Sequence, residues 1–228
     1  MPGLLGLGLA LGGTRGNVNA PDFIFNALSS IGALHTSRTD TLLYIDEHGK
    51  YASAAANTSP IEYDYHNGAP LGVPSFPAVT AKNLYSRPVS GTVSDHFDTG
   101  TSDISIVTDA DSPFSNLSNG DQVWKIDNSG GTGNLNCALK GATDNTNECN
   151  IQAWVKVVEG VDAKLTLERN ADISFNNTDY MLIQGENITP KNSNDRIEFE
   201  VPAWSVIHVA GANLQNYEDV TNFIDTAW

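Results

Sequence analysis

Few residues in this chain have the types and spacing to do chemistry. Cys137 and Cys149 stand with eleven residues between them, flanking the polar stretch 138–148. If that stretch is a hairpin loop, its strands bring the thiols within bonding distance and a disulfide forms; free thiols are the other reading. No Cys-x-x-Cys pair supports a zinc site, and the five histidines (His35, His48, His66, His96, His208) are scattered. Asp95, Asp98, Asp109, Asp111 and Asp121 lie in loops that also offer carbonyl oxygens, the donor chemistry of calcium, but no complete spaced ligand set follows them. Tyr180 beside Asn177 and Asp179, Tyr217 beside Asn216, and Trp228 join a flat aromatic ring to amide or carboxylate groups. Such rings can stack on a sugar while their neighbours bond its hydroxyls. The ordinary reading of each, as a packing or interface aromatic, outweighs this one. Trp124, Trp154 and Trp204 sit in or beside strand-like segments and read as core.

Nothing assembles these residues into a catalytic constellation. There is no Gly-x-Ser-x-Gly elbow, His-Glu-x-x-His helix, Gly-Lys phosphate loop or dinucleotide fingerprint. Carboxylates are numerous enough that pairs will meet by chance, so a glycosidase dyad does not follow from their count. The chain reads as a non-enzyme with no obligatory cofactor or metal, calcium being the one ion its loops would suit.

The acidity is unevenly placed. The 228 residues carry a net charge of −15, yet residues 1–90 hold 5 basic and 6 acidic side chains (net −1) and residues 91–228 hold 7 and 21 (net −14). That balance disfavours nucleic acid, whose phosphates need a basic surface. No window reaches the ~20 apolar residues of a membrane-spanning helix. The opening run of leucines and glycines lacks the basic residues that begin a signal peptide, Arg15 following the apolar run instead of preceding it.

Three segments would position these groups. Residues 1–37 read as an extended arm followed by a helix at 21–31, with Pro21 at its start, Phe23, Ala27, Leu28 and Ile31 on one face, and Gly32 as its stop. Leu4, Leu5, Leu7, Leu9, Leu11, Phe23 and Leu28 are the candidates for burial against a partner, because a Gly-rich apolar tail orders only when something holds it. Residues 38–90 read as hairpins and linker, with 42–45 and 51–56 flanking a turn at 47–50, then 61–65 before an Asn67-Gly68 turn. Residues 91–228 alternate apolar and polar residues in short runs at 104–107, 122–126, 135–139, 151–158, 163–167, 180–184, 197–201 and 206–209. Short, turn-separated strands without helical period predict a mainly β fold, an antiparallel jelly-roll β-sandwich.

Two segments carry a resemblance. Arg38-Thr39-Asp40, Tyr44-Ile45-Asp46, Gly49, Ala54-Ala55-Ala56-Asn57, Glu62-Tyr63-Asp64, Gly68, Leu71-Gly72 and Asn83-Leu84 form the first; Gly211-Ala212-Asn213-Leu214 and Thr221-Asn222-Phe223-Ile224 form the second. Together they resemble bacteriophage virion proteins that join an anchoring region to a carbohydrate-binding-module-like jelly roll. Val73-Pro74-Ser75-Phe76, Asp225 and Ala210 depart from that pattern. The resemblance implies a surface-exposed structural protein of capsid or tail (a decoration protein, head fibre or tail fibre), assembled in the host cytoplasm as a homotrimer with other virion proteins as partners. The alternative it implies is a host-attachment adhesin that binds bacterial surface polysaccharide.

Overall fold

The computed structural model describes residues 42–73, 85–89, 91–144, 147–168 and 170–216. The arm and its leucines, Phe23, Leu28, the helix at 21–31, Tyr217 and Trp228 lie outside the described residues. All described residues belong to one compact unit, Thr36–Trp228. The hairpin before the charge step packs on the sandwich after it.

The sandwich is two antiparallel sheets. One contains β5 (Ile104–Thr108), β6 (Gln122–Asp127), β8 (Cys149–Glu159), β11 (Met181–Ile188) and β13 (Val206–Asn216), in the order β11-β8-β13-β6-β5. The other contains β7 (Leu135–Ala138), β9 (Ala163–Leu167), β10 (Asp172–Phe175) and β12 (Ile197–Val201), in the order β10-β9-β12-β7. Period-two alternation builds the core between them. In β8, Ile151, Ala153, Val155 and Val157 face inward, joining Leu165, Leu167, Phe199 and Val201 of the opposite sheet. Gln152, Trp154 and Lys156 then fall on the outer face of the five-stranded sheet.

Two strands run longer than their sequence pattern suggests. β13 continues past Val209 to Asn216 because the register slips between Val209 and Gly211. The bulge inverts the phase, so Ile207 and Val209 face the core before it and Ala212 and Leu214 after it. β11 continues to Ile188 across a similar irregularity after Gly185, where a side chain would collide with Ile173 at 2.5 Å. β10 was not legible, since Asp172, Ser174 and the following asparagines read as loop; pairing of Asp172 through Phe175 with β9 makes it a strand.

The N-terminal hairpins cover the outer face. β1 (Leu42–Ile45) pairs with β2 (Tyr51–Ala54) around a turn in which the Asp46 carboxylate accepts the backbone N–H groups of His48 and Lys50, each at 2.9 Å. Gly49, at φ +71°, takes the left-handed position. β3 (Glu62–Tyr63) pairs with β4 (Pro70–Gly72) around the Asn67-Gly68 turn. Tyr51 lies flat on Phe114 at 4.6 Å and edge-on to Trp154 at 6.0 Å, forming with Val123 and Ala210 a second apolar cluster that Leu43 and Ile45 pack against. A one-turn helix, α1 (Val93–His96), precedes β5. Beneath it, Trp124 donates its indole N–H to His96 Nδ1 at 2.9 Å, which places the imidazole proton on Nε2.

Cys137 and Cys149 are free, buried thiols. The disulfide reading assumed that β7 and β8 are hairpin partners; instead β7 pairs with β12 in one sheet and β8 with β11 and β13 in the other. Burial raises the Cys137 thiol to about 12 and the Cys149 thiol to about 11, the latter also donating to the Ile188 carbonyl. Both remain protonated at neutral pH and closed to reagents. Ellman's reagent at pH 8 is expected to count no fast-reacting thiol in the native protein and both after denaturation; rapid native reaction would contradict this packing.

Candidate functional site

Where the hairpins meet the sandwich they leave a cleft of about 300 Å³. The β1–β2 turn supplies Gly49 and Lys50, and Tyr65 follows β3. The sandwich side consists of Asp111 and Pro113 from the β5–β6 loop, Trp154 and Lys156 from β8, and Thr178, Asp179 and Tyr180 from the β10–β11 loop. Tyr65 meets the buried Trp154 edge to face at 4.8 Å, and its half-buried ring with that of Tyr180 makes the cleft's aromatic surface.

Asp109 organises the floor. Its Oδ2 accepts from Lys156 Nζ at 2.7 Å, His208 Nδ1 at 2.7 Å and the Tyr180 hydroxyl at 3.0 Å, while Oδ1 accepts the Asp111 backbone N–H at 3.1 Å. Burial alone would raise its pKa, but these hydrogen bonds outweigh burial and hold it well below the usual carboxylate range. With three donors on one oxygen, Asp109 is an anchor and is unsuited to act as a general base. Burial and the nearby Asp109 charge push the Tyr180 phenol up, so it stays a donor, and Lys156 sits 4.7 Å over its ring. Lys50 donates to the Asp111 and Ser112 carbonyls at 2.8 Å each, clasping the β5–β6 loop to the hairpin. Burial lowers its pKa, partly offset by Asp111, Asp109 and Asp46.

Of the residues singled out from sequence, Tyr180 and Asp179 line the cleft and Asn177 braces the same loop, donating to the Val155 and Asp179 carbonyls. The five loop aspartates do not converge. Asp95 caps α1, Asp98 pairs with Arg196 at 2.7 Å, Asp109 takes Lys156, Asp111 stands at the cleft rim and Asp121 accepts through its backbone. Among the described residues no group of three or more acidic, His or Cys side chains could hold a metal. Trp124 and Trp154 are core, at 0% and 2% exposure, whereas Trp204 is 65% exposed in the β12–β13 loop. Lys50, Tyr65 and Lys156 escaped sequence reading. The signal for Lys156 was present, as the single charge in the run Ile151 to Val158 and on the same strand face as Trp154.

The fold and cleft define a class: an antiparallel β-sandwich that presents two tyrosine rings and fixed polar groups in one open site. No family model matches the sequence, and no curated protein does. Among solved structures the chain is similar to a Family 16 Carbohydrate Binding Module-2, at 14% identity over 48% of this chain and 84% of that one, TM-score 0.34. It is similar to TmCBM61 in complex with β-1,4-galactotriose, at 11% identity over 53% and 86%, TM-score 0.37. The CBM22-1 xylan-binding domain from Paenibacillus barcinonensis Xyn10C is matched at 14% identity over 63% and 100%, TM-score 0.40.

Proposed function

We propose that this protein binds glycans without transforming them, and that the cleft between hairpin and sandwich is the binding site. The observation that carries this reading is the cleft's composition: the half-buried Tyr65 and Tyr180 rings offer apolar surface, and Lys50, Asp111, Thr178 and Asp179 offer donors and acceptors around it. A sugar ring needs both, an apolar face to stack and hydroxyls to bond. The setting we infer is the surface of a bacteriophage particle, on the strength of the resemblance in residues 38–84 and 207–226. There the chain serves as a structural protein of capsid or tail, anchored by residues 1–37 and assembled as a homotrimer, and glycan binding makes it a host-attachment adhesin.

Binding is tested on the full chain, because residues 91–228 alone lack Gly49, Lys50 and Tyr65. Wild type is expected to bind bacterial surface glycans on an array. Thr178→Ala or Asp179→Ala is expected to weaken that binding about tenfold per lost hydrogen bond, read by calorimetry. A wild-type protein silent on every glycan would defeat the reading. The virion setting has its own test: deleting residues 2–20 is expected to abolish incorporation into particles while leaving the β-sheet circular dichroism intact. Normal decoration by the truncated chain would reject the anchoring role.

A further inference from the structure

The chain shows twice what it does with tryptophan for stability. Trp124 and Trp154 are buried, and each indole N–H has a partner, His96 and the Tyr51 hydroxyl. Trp204 is treated in the opposite way. It is 65% exposed, and its backbone is held at φ +65°, a region in which a bulky side chain is strained. Folding gains little from such a residue, since the ring forgoes burial and the backbone bears a cost that glycine would not.

The loop is nevertheless rigidly built around it. The Trp204 N–H donates to the Asn128 carbonyl at 2.9 Å. Asn128 is itself 8% exposed, and its amide donates to the Gly133 carbonyl at 2.9 Å and the Val201 carbonyl at 2.8 Å, tying the β6–β7 loop to the end of β12. Gly131 leaves room for this, as a side chain there would meet Asn128 Oδ1 at 1.8 Å. Ser205, next in sequence, accepts the Val161 N–H at 3.1 Å. Three loops thus fix the backbone that carries one exposed indole. The loop that fixes it exposes Thr132 and Asn134, with Asn134 oriented by Glu200 at 3.0 Å.

We propose that Trp204 is a second saccharide platform, separate from the cleft, on which a sugar ring stacks its apolar face while the polar groups of residues 132–134 meet its hydroxyls. This rests on the glycan-binding reading above and names a further site for the same ligand class. A flat ring on a fixed backbone, beside the exposed polar Thr132 and Asn134, suits a sugar, whereas a stable protein interface would need roughly 800 Å² per partner. Val158 and Val161, the other exposed large apolar residues at this end of the sandwich, add only isolated contacts.

The test uses the full chain on an array of bacterial and plant oligosaccharides, comparing wild type, Trp204→Gly, Trp204→Phe and Asp179→Ala. Trp204→Gly is expected to cut the signal at least tenfold while its melting temperature holds or rises, because glycine takes the positive φ freely. Trp204→Phe, which keeps a ring, is expected to retain most of the signal. Wild-type signals from Trp204→Gly, with Asp179→Ala weakened, would overturn the platform and leave the cleft standing. A fall in melting temperature that accompanies the lost signal would assign Trp204 a structural role instead. Self-association that disappears in Trp204→Gly while glycan signals persist would make it a contact between copies. An array blank for wild type defeats the carbohydrate reading and this inference together.

Discussion

Asp109→Asn is expected to destabilise the protein by about 3 kcal/mol, the range for removing one partner of a largely buried ion pair. The side chains of Asp109 and Lys156 are 9% and 14% exposed, so water cannot replace the lost carboxylate. The damage is compounded by the neighbours. On the sheet, His208 pairs with Lys156 of β8 on one side and Lys125 of β6 on the other; Lys125 has its own carboxylate in Asp127 at 2.7 Å, whereas the second carboxylate near Lys156, exposed Asp111, stands at 3.9 Å. Without Asp109, Lys156 keeps only the longer contact with exposed Asp111, and the loop bearing Asp111 and Pro113 loses its tether to Lys156, His208 and Tyr180 while keeping the one to Lys50. Urea denaturation measures the stability, and the same variant should lose glycan binding.

The sign of its pH dependence follows from the depressed pKa. A carboxylate held below its unfolded value stabilises the fold above that unfolded value, near 4, and the contribution is lost as pH falls toward the folded one. The gap between wild type and Asp109→Asn should therefore be constant above about pH 5 and close on acidification. A gap that persists undiminished at pH 2–3 would mean that Asp109 acts through shape and not charge.

The second large effect is expected at Tyr51. Tyr51→Ala removes the ring stacked on Phe114 and edge-on to Trp154, and deprives the Trp154 indole of its hydroxyl acceptor at 3.3 Å. Large aromatic-to-alanine changes in a packed site cost about 3–5 kcal/mol. Here the cost should fall locally, because Tyr51 joins the β1–β2 hairpin to the sandwich, reinforced by its own N–H to the Pro113 carbonyl at 2.7 Å. Hydrogen exchange is expected to accelerate across residues 42–73 while β8, β12 and β13 keep their protection. Since residues 42–73 carry Gly49, Lys50 and Tyr65, glycan binding should fall with them. Uniform acceleration over the whole sheet would show instead that hairpin and sandwich unfold as one cooperative unit.

Much of the architecture was legible because strand alternation is a local property. The runs at 104–107, 122–126, 163–167 and 197–201 correspond to β5, β6, β9 and β12 within a residue, and the Asp46 to Lys50 turn announces its hairpin by composition. What failed was also local in origin. β13 seemed to end at Val209 because the bulge reverses its phase, and β10 was hidden by Asp172 and Ser174. The fate of three tryptophans in similar surroundings was not legible, since burial depends on what the rest of the chain lays over each strand.

The binding site shows the same division. Tyr180 and Asp179 were visible as an aromatic beside a polar group, but the cleft joins them to Lys50, Tyr65, Asp111, Trp154 and Lys156, residues dispersed over more than a hundred positions. By itself the sequence determined the strands, the turns and the surplus of acid, each set by side-chain period or composition within a few residues. Tertiary structure alone decided that the hairpins fold back over the outer face of β8, that Asp109 collects Lys156, His208 and Tyr180, and that Trp204 stays in water. Those outcomes depend on packing energies summed over distant segments, and no local pattern encodes them.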